Sequence, residues 1–198
     1  MNKDFKRNFK SLMDLSAPDE QEQKTFGKHP VLEGYPDTGS LKGVDFDTIR
    51  EIWYPSQPDK NVPCSVDALI FRNDKIYLVE FKSGKLAHLE RKIYDSIMML
   101  IEHDNQDFKT LRQTAIYIVV APKFRDSPNR DKVVLRSTLY SSKVPANKPW
   151  DNPYFVKLND RWNLRSLEGV IVAKTYCLPP SMFDEFVKVE GLLFSPLA

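Results

Sequence analysis

The stretch VDALIFRNDKIYLVEFKSG, residues 66–84, places two carboxylates and an ammonium group at the outer ends of two apolar runs. These are Asp67, Glu80 and Lys82. Carboxylate oxygens suit a hard divalent cation such as Mg²⁺, which commonly keeps waters and a substrate phosphate beside one or two acidic ligands. A lysine nearby can orient or deprotonate an attacking water, or neutralise phosphate charge. Residues of these types fit metal-assisted hydrolysis of a phosphodiester.

Whether they meet depends on the hairpin. A two-residue turn at Asn73-Asp74 pairs Arg72 with Lys75 and Phe71 with Ile76, and carried outward it sets Asp67 opposite Glu80. Lys82, two residues beyond Glu80, shares that face. Phe71, Leu69, Ile76 and Leu78 lie on the same face, while Ala68, Ile70, Tyr77, Val79 and Phe81 lie on the other. Two apolar faces are expected of a central strand pair covered on both sides. Opposed carboxylates have Cβ atoms about 5 Å apart and repel, and burial penalises their charge further. A shared proton, the neighbouring lysine or a divalent cation would each relieve them. The alternative is a solvated sheet edge with Lys82 in an ordinary ion pair.

In sequence, Asp67, twelve intervening residues and Glu80-Phe81-Lys82 resemble the PD-(D/E)xK pattern of restriction-endonuclease-like nucleases. The context is similar too: aspartate begins one strand of a hairpin, E-x-K ends the next, and a helix follows. The resemblance spans about residues 44–121. Position 66 is valine where the pattern has proline. The resemblance implies an α/β fold with a restriction-endonuclease-like core, a central mixed β-sheet flanked by helices. It further implies Asp67 and Glu80 as metal ligands, Lys82 as the catalytic lysine, and Mg²⁺ or Mn²⁺ as cofactor. Many members add an acid from the first helix, for which Glu20 and Glu22 are the candidates here, with Glu33 and Glu51 further off. Nucleic acid is the expected partner, DNA before RNA, and a homodimer is left open. A nuclease-like fold without activity, serving as a nucleic-acid- or protein-binding module, is the alternative.

Around the hairpin, Leu86, Leu89, Ile93, Ile97 and Leu100 recur at helical spacing and predict a helix over 85–103. A polar strip of Lys85, His88, Lys92, Asp95 and Ser96 lies beside that stripe. On it, Lys92 is placed to contact phosphate, with Asp95 holding its ammonium through an i, i+3 pair. A helix is expected within 4–24, a loop over 27–43, strands over 44–54, 113–121 and 168–177, a short strand around 133–140, and a terminal helix over 181–189.

The 198 residues suggest one domain: residues 1–43 as N-terminal helix and loop, 44–121 as core, and 122–198 as a C-terminal extension. With 41% hydrophobic residues a packed interior is within reach. Apolar runs are too short to span a bilayer, the longest being AIYIVVA at 115–121, and the charged N-terminus has no signal-peptide core. Cys64 and Cys177 are read as reduced thiols, and a cytoplasmic location away from membranes is expected. Net charge is only +2, but residues 123–148 hold seven basic side chains against two acidic ones, which suits either a phosphate backbone or a solvated loop.

Overall fold

The computed structural model describes residues 2–18, 29–55, 62–83, 88–122, 150 and 163–193. The short strand expected around 133–140, the basic segment 123–148, Lys85, Glu20 and Glu22 lie outside the described residues. Among the described residues no helix is long and apolar enough to cross a membrane.

The architecture is α/β. A mixed six-stranded sheet runs β1 (Phe9–Ser11), β2 (Lys42–Asp45), β3 (Ala68–Arg72), β4 (Lys75–Phe81), β5 (Ala115–Val120) and β6 (Lys174–Leu178), in that spatial order. The strands β1 to β4 pair antiparallel, whereas β4–β5 and β5–β6 are parallel. The β3–β4 hairpin has the register expected from its turn: Ala68 faces Val79, and Arg72 faces Lys75. Both turn residues, Asn73 and Asp74, have positive φ (49° and 57°), which short polar side chains tolerate and a tight hairpin needs.

Both faces of the hairpin are buried, as its two apolar sets require. One face packs under α4 (Phe46–Trp53) and α5 (Leu89–Asp104), through Phe46, Ile49, Leu89, Ile93 and Ile97. The other meets Leu12 of α2 (Leu12–Leu15) and Phe183, Phe186 and Val187 of α7 (Pro180–Val189). The sheet therefore lies between helical layers, and the late elements β6 and α7 belong to its core. The remaining helices are α1 (Lys3–Arg7), α3 (Pro36–Ser40) and α6 (Phe108–Thr114), with a 3₁₀ turn at Leu164–Leu167.

Several boundaries differ from the sequence expectation, among them the loop of 27–43, which holds α3 (Pro36–Ser40) and the start of β2. The first helix breaks at Asn8, because Phe9–Ser11 pair with β2 and Ser11 caps a new helical turn. Residues 44–54 are mostly helix. Asp45 ends β2 and caps α4, accepting hydrogen bonds from Thr48 N at 3.0 Å and Thr48 Oγ1 at 2.6 Å. The helix after the hairpin starts at Leu89, since His88 is left-handed (φ 58°) and cannot continue a right-handed turn. The last strand is shorter than 168–177 because Gly169 (φ 71°) folds the chain back, its N–H donating to Val172 O at 2.8 Å.

Asp45 also receives the ammonium of Lys10 at 2.6 Å. Burial opposes its charge, yet the hydrogen bonds from Lys10 and Thr48 outweigh burial and hold the carboxyl below its ordinary value of 3.8. A carboxyl lowered in the folded state stabilises it fully above the ordinary value and loses that contribution as pH falls through the lowered one. Asp45→Ala is expected to cost about 1–2 kcal/mol near pH 7 in urea unfolding, with the deficit shrinking below about pH 4.

Candidate metal and phosphate site

The hairpin brings Asp67, the residue before β3, and Glu80, near the end of β4, together one position beyond the Ala68–Val79 pair. Several side chains fix the chain leading into Asp67. Ser96 Oγ of α5 accepts from Val66 N at 3.0 Å, and Asp95 Oδ2 accepts from Cys64 N at 2.7 Å. Ser65 Oγ donates to Asp47 Oδ1 on the first turn of α4. Asp67 is itself anchored, with Oδ2 accepting from Phe81 N at 2.6 Å and its carbonyl accepting from Phe46 N at 3.3 Å. Two helices and the partner strand thus aim one carboxylate.

Glu80 is fully buried, and its carboxylate meets two lysines. Lys92 Nζ, from α5, donates to Glu80 Oε1 and Oε2 at 2.7 and 2.8 Å and reaches Asp67 Oδ1 at 3.3 Å. Lys82 Nζ lies 2.8 Å from Glu80 Oε1. Side-chain exposure is 0% for Glu80, 15% for Lys82, 17% for Asp67 and 18% for Lys92, so the group is not a solvated sheet edge. Lys92 does not pair with Asp95, as the helical spacing had led us to expect. Asp95 turns to Cys64 N and to Arg91 Nε at 3.2 Å, and α5 presents Lys92 to the sheet instead.

The electrostatics follow from this crowding. Burial, then the Glu80 charge beside it, push the Asp67 carboxyl well above its usual range, against the pull of Lys92. Burial would by itself lower the Lys92 ammonium, but the Asp67 and Glu80 charges reverse this and hold its pKa above the ordinary value.

A cleft of about 170 Å³ opens over this group, walled by Asp45, Asp47, Asp67, Lys82, Ser83 and Lys92. Asp47 and Asp45 were not singled out in the sequence. Their legible signal was the capping pattern Asp45-Phe46-Asp47-Thr48, which starts a helix with Asp47 in its first turn. Glu33 and Glu51 do not reach the cleft: both are exposed, Glu33 paired with His29 at 3.0 Å and Glu51 with Arg50 at 3.3 Å. Glu22 lies outside the described residues.

The donor set can be tested against a divalent ion. Glu80 Oε1 and Oε2 and Asp67 Oδ1 already converge on one cationic centre, the Lys92 ammonium, so the pair is shaped to share a positive charge. Among the described residues no third histidine, cysteine or acid completes a closed cage, and Mg²⁺ does not require one. The oxygens fit a hard cation.

Removing one partner from a buried ion pair strands the other charge, at a cost of about 3–5 kcal/mol. Lys92→Met is expected to lose that much in urea unfolding. Lys92→Met combined with Glu80→Gln should lose less than the two single substitutions summed, because each removes one side of the same pair. Additive losses would show that the two side chains do not interact.

Compared with known proteins, the chain matches no family model, no curated protein and no solved structure.

Proposed function

We propose that this protein is a divalent-metal-dependent nuclease hydrolysing nucleic-acid phosphodiesters, with DNA the first substrate to test. The observation that carries the reading is the convergence of Asp67 and Glu80 on one cation at the base of a cleft, with Lys82 at its wall. The fold supports it: an acid leads into one strand of a central hairpin, E-x-K closes the next, and a helix crosses to a parallel strand. This is the layout implied by the likeness to restriction-endonuclease-like nucleases.

In this reading Asp67 and Glu80 hold Mg²⁺ or Mn²⁺. When bound, the ion supplies Lewis-acid polarisation and neutralises charge gathering on the phosphoryl oxygens. The chain's own groups do the rest. Lys82 lines the cleft with its ammonium anchored on Glu80, where it donates to a water or to a phosphate oxygen and fixes its direction. The main-chain N–H of Phe81 and the α5 tethers to residues 64–66 keep the Asp67 carboxylate aimed.

A second reading has its own observation. Lys92 and Lys82 together already balance both carboxylates, so the same charges suit a nuclease-like fold that binds nucleic acid or protein without cutting. Cleavage separates the two. Single- and double-stranded DNA and RNA are incubated with the protein and Mg²⁺ or Mn²⁺. Asp67→Ala, Glu80→Ala and Lys82→Ala, each checked for native circular dichroism, are expected to lose activity by about 100-fold or more, and chelation should abolish it. Folded wild type that cuts none of the four substrates would favour the binding module.

A further inference from the structure

Glu80 is fully buried and is not part of the cleft wall. Of the two lysines that bond its carboxylate, both line the cleft, and they differ in what they hold. Among the described residues, Lys82 pairs with Glu80. Lys92 spans both acids, with three carboxylate oxygens within 3.3 Å of one nitrogen. That nitrogen occupies the place where a cation shared by Asp67 and Glu80 has to sit. A metal ion bound between the two acids would compete with Lys92 for the same oxygens, and the like charges would repel each other.

We propose that Lys92 is the resident cation of the Asp67–Glu80 pair, that Mg²⁺ or Mn²⁺ exchanges with it on those oxygens, and that the displaced ammonium turns into the cleft. The inference rests on the metal-dependent reading above and adds a switch to it. Without the ion, Lys92 stays on the carboxylates and offsets part of their charge. With it, the pair carries the divalent charge, and the ammonium of Lys92, already at the cleft wall, is freed to meet a phosphodiester. A flexible lysine stem permits this: Nζ moves by rotation about side-chain bonds while α5 stays in place. The α5 backbone is held independently, by the Asp95 and Ser96 bonds to residues 64 and 66 and by Ile93 and Ile97 in the core.

The first test is calorimetric titration of Mn²⁺ and Mg²⁺ into wild type, Lys92→Met and Lys92→Met/Glu80→Gln. Removing the competitor should tighten binding in Lys92→Met by at least about tenfold, and the added Glu80→Gln should remove most of that gain. Equal or weaker binding in Lys92→Met, beside a wild type that binds at Asp67 and Glu80, overturns the exchange and leaves the metal reading standing. No binding in any of the proteins overturns both.

Because Lys92→Met strands buried charge and can fail to fold, the second test uses wild type alone. The full chain is acetylated with an amine-reactive reagent, without ion and at saturating Mn²⁺, and modification of Lys92 is read by mass spectrometry. Exchange requires Lys92 to be protected without the ion and to react several-fold faster with it. Unchanged Lys92 reactivity in protein shown by calorimetry to be saturated overturns the proposal.

Discussion

Everything around the site answers one constraint: two carboxylates placed at the same end of an apolar hairpin need a positive charge delivered to them out of water. Burial and the neighbouring Glu80 charge act together on Asp67, and Glu80 itself is closed off from solvent. The remedy comes from a separate element. Helix α5 crosses the sheet so that Ile93 and Ile97 enter the core while Lys92 reaches both acids. Asp95 and Ser96 then bind the strand that leads into Asp67. Helix position, hairpin register and charge neutralisation are one arrangement, and moving any of them exposes the other two to strain.

Stability alone gives no reason for such an arrangement. Apolar side chains of similar volume would hold the same sheet as well or better, because the attraction between buried charges is largely offset by taking them out of water. The charges also gather where a cleft opens, beside two further acids, Asp45 and Asp47, and a second lysine, Lys82. Elsewhere on the hairpin the buried side chains are apolar. A concentration of opposed charges at the mouth of an otherwise apolar strand pair is the pattern expected where chemistry, not packing, sets the residues.

The hairpin was legible because its information is local. Asn73-Asp74 fixes the turn, the turn fixes the register, and the register brings Asp67 and Glu80 together one position beyond the Ala68–Val79 pair. The stripe of Leu89, Ile93, Ile97 and Leu100 likewise announced α5, and the apolar run at 115–121 announced β5. What could not be read was the partner of Lys92. Along the helix Asp95 is its neighbour, and only the rotation of α5 on the sheet shows that Lys92 points to the strands while Asp95 points to residue 64 and Arg91. Asp47 was hidden for a different reason. Alternation of polar and apolar residues over 44–54 reads as a strand, but the Asp45 cap wins locally and converts the segment to a helix with Asp47 in its first turn. The N-terminal segment misled similarly: Phe5, Phe9 and Leu12 keep helical spacing, yet Phe9–Ser11 find backbone partners on β2.

The central claim is that Asp67 and Glu80 form a divalent-cation site, and diffraction from crystals soaked in Mn²⁺ tests it most directly. Anomalous scattering locates manganese without assumptions about the chemistry around it. The account expects one strong peak between the two carboxylates, within coordination distance of an oxygen from each. Absence of a peak there at saturating Mn²⁺, with the Lys92 ammonium still bridging Asp67 and Glu80, would contradict it.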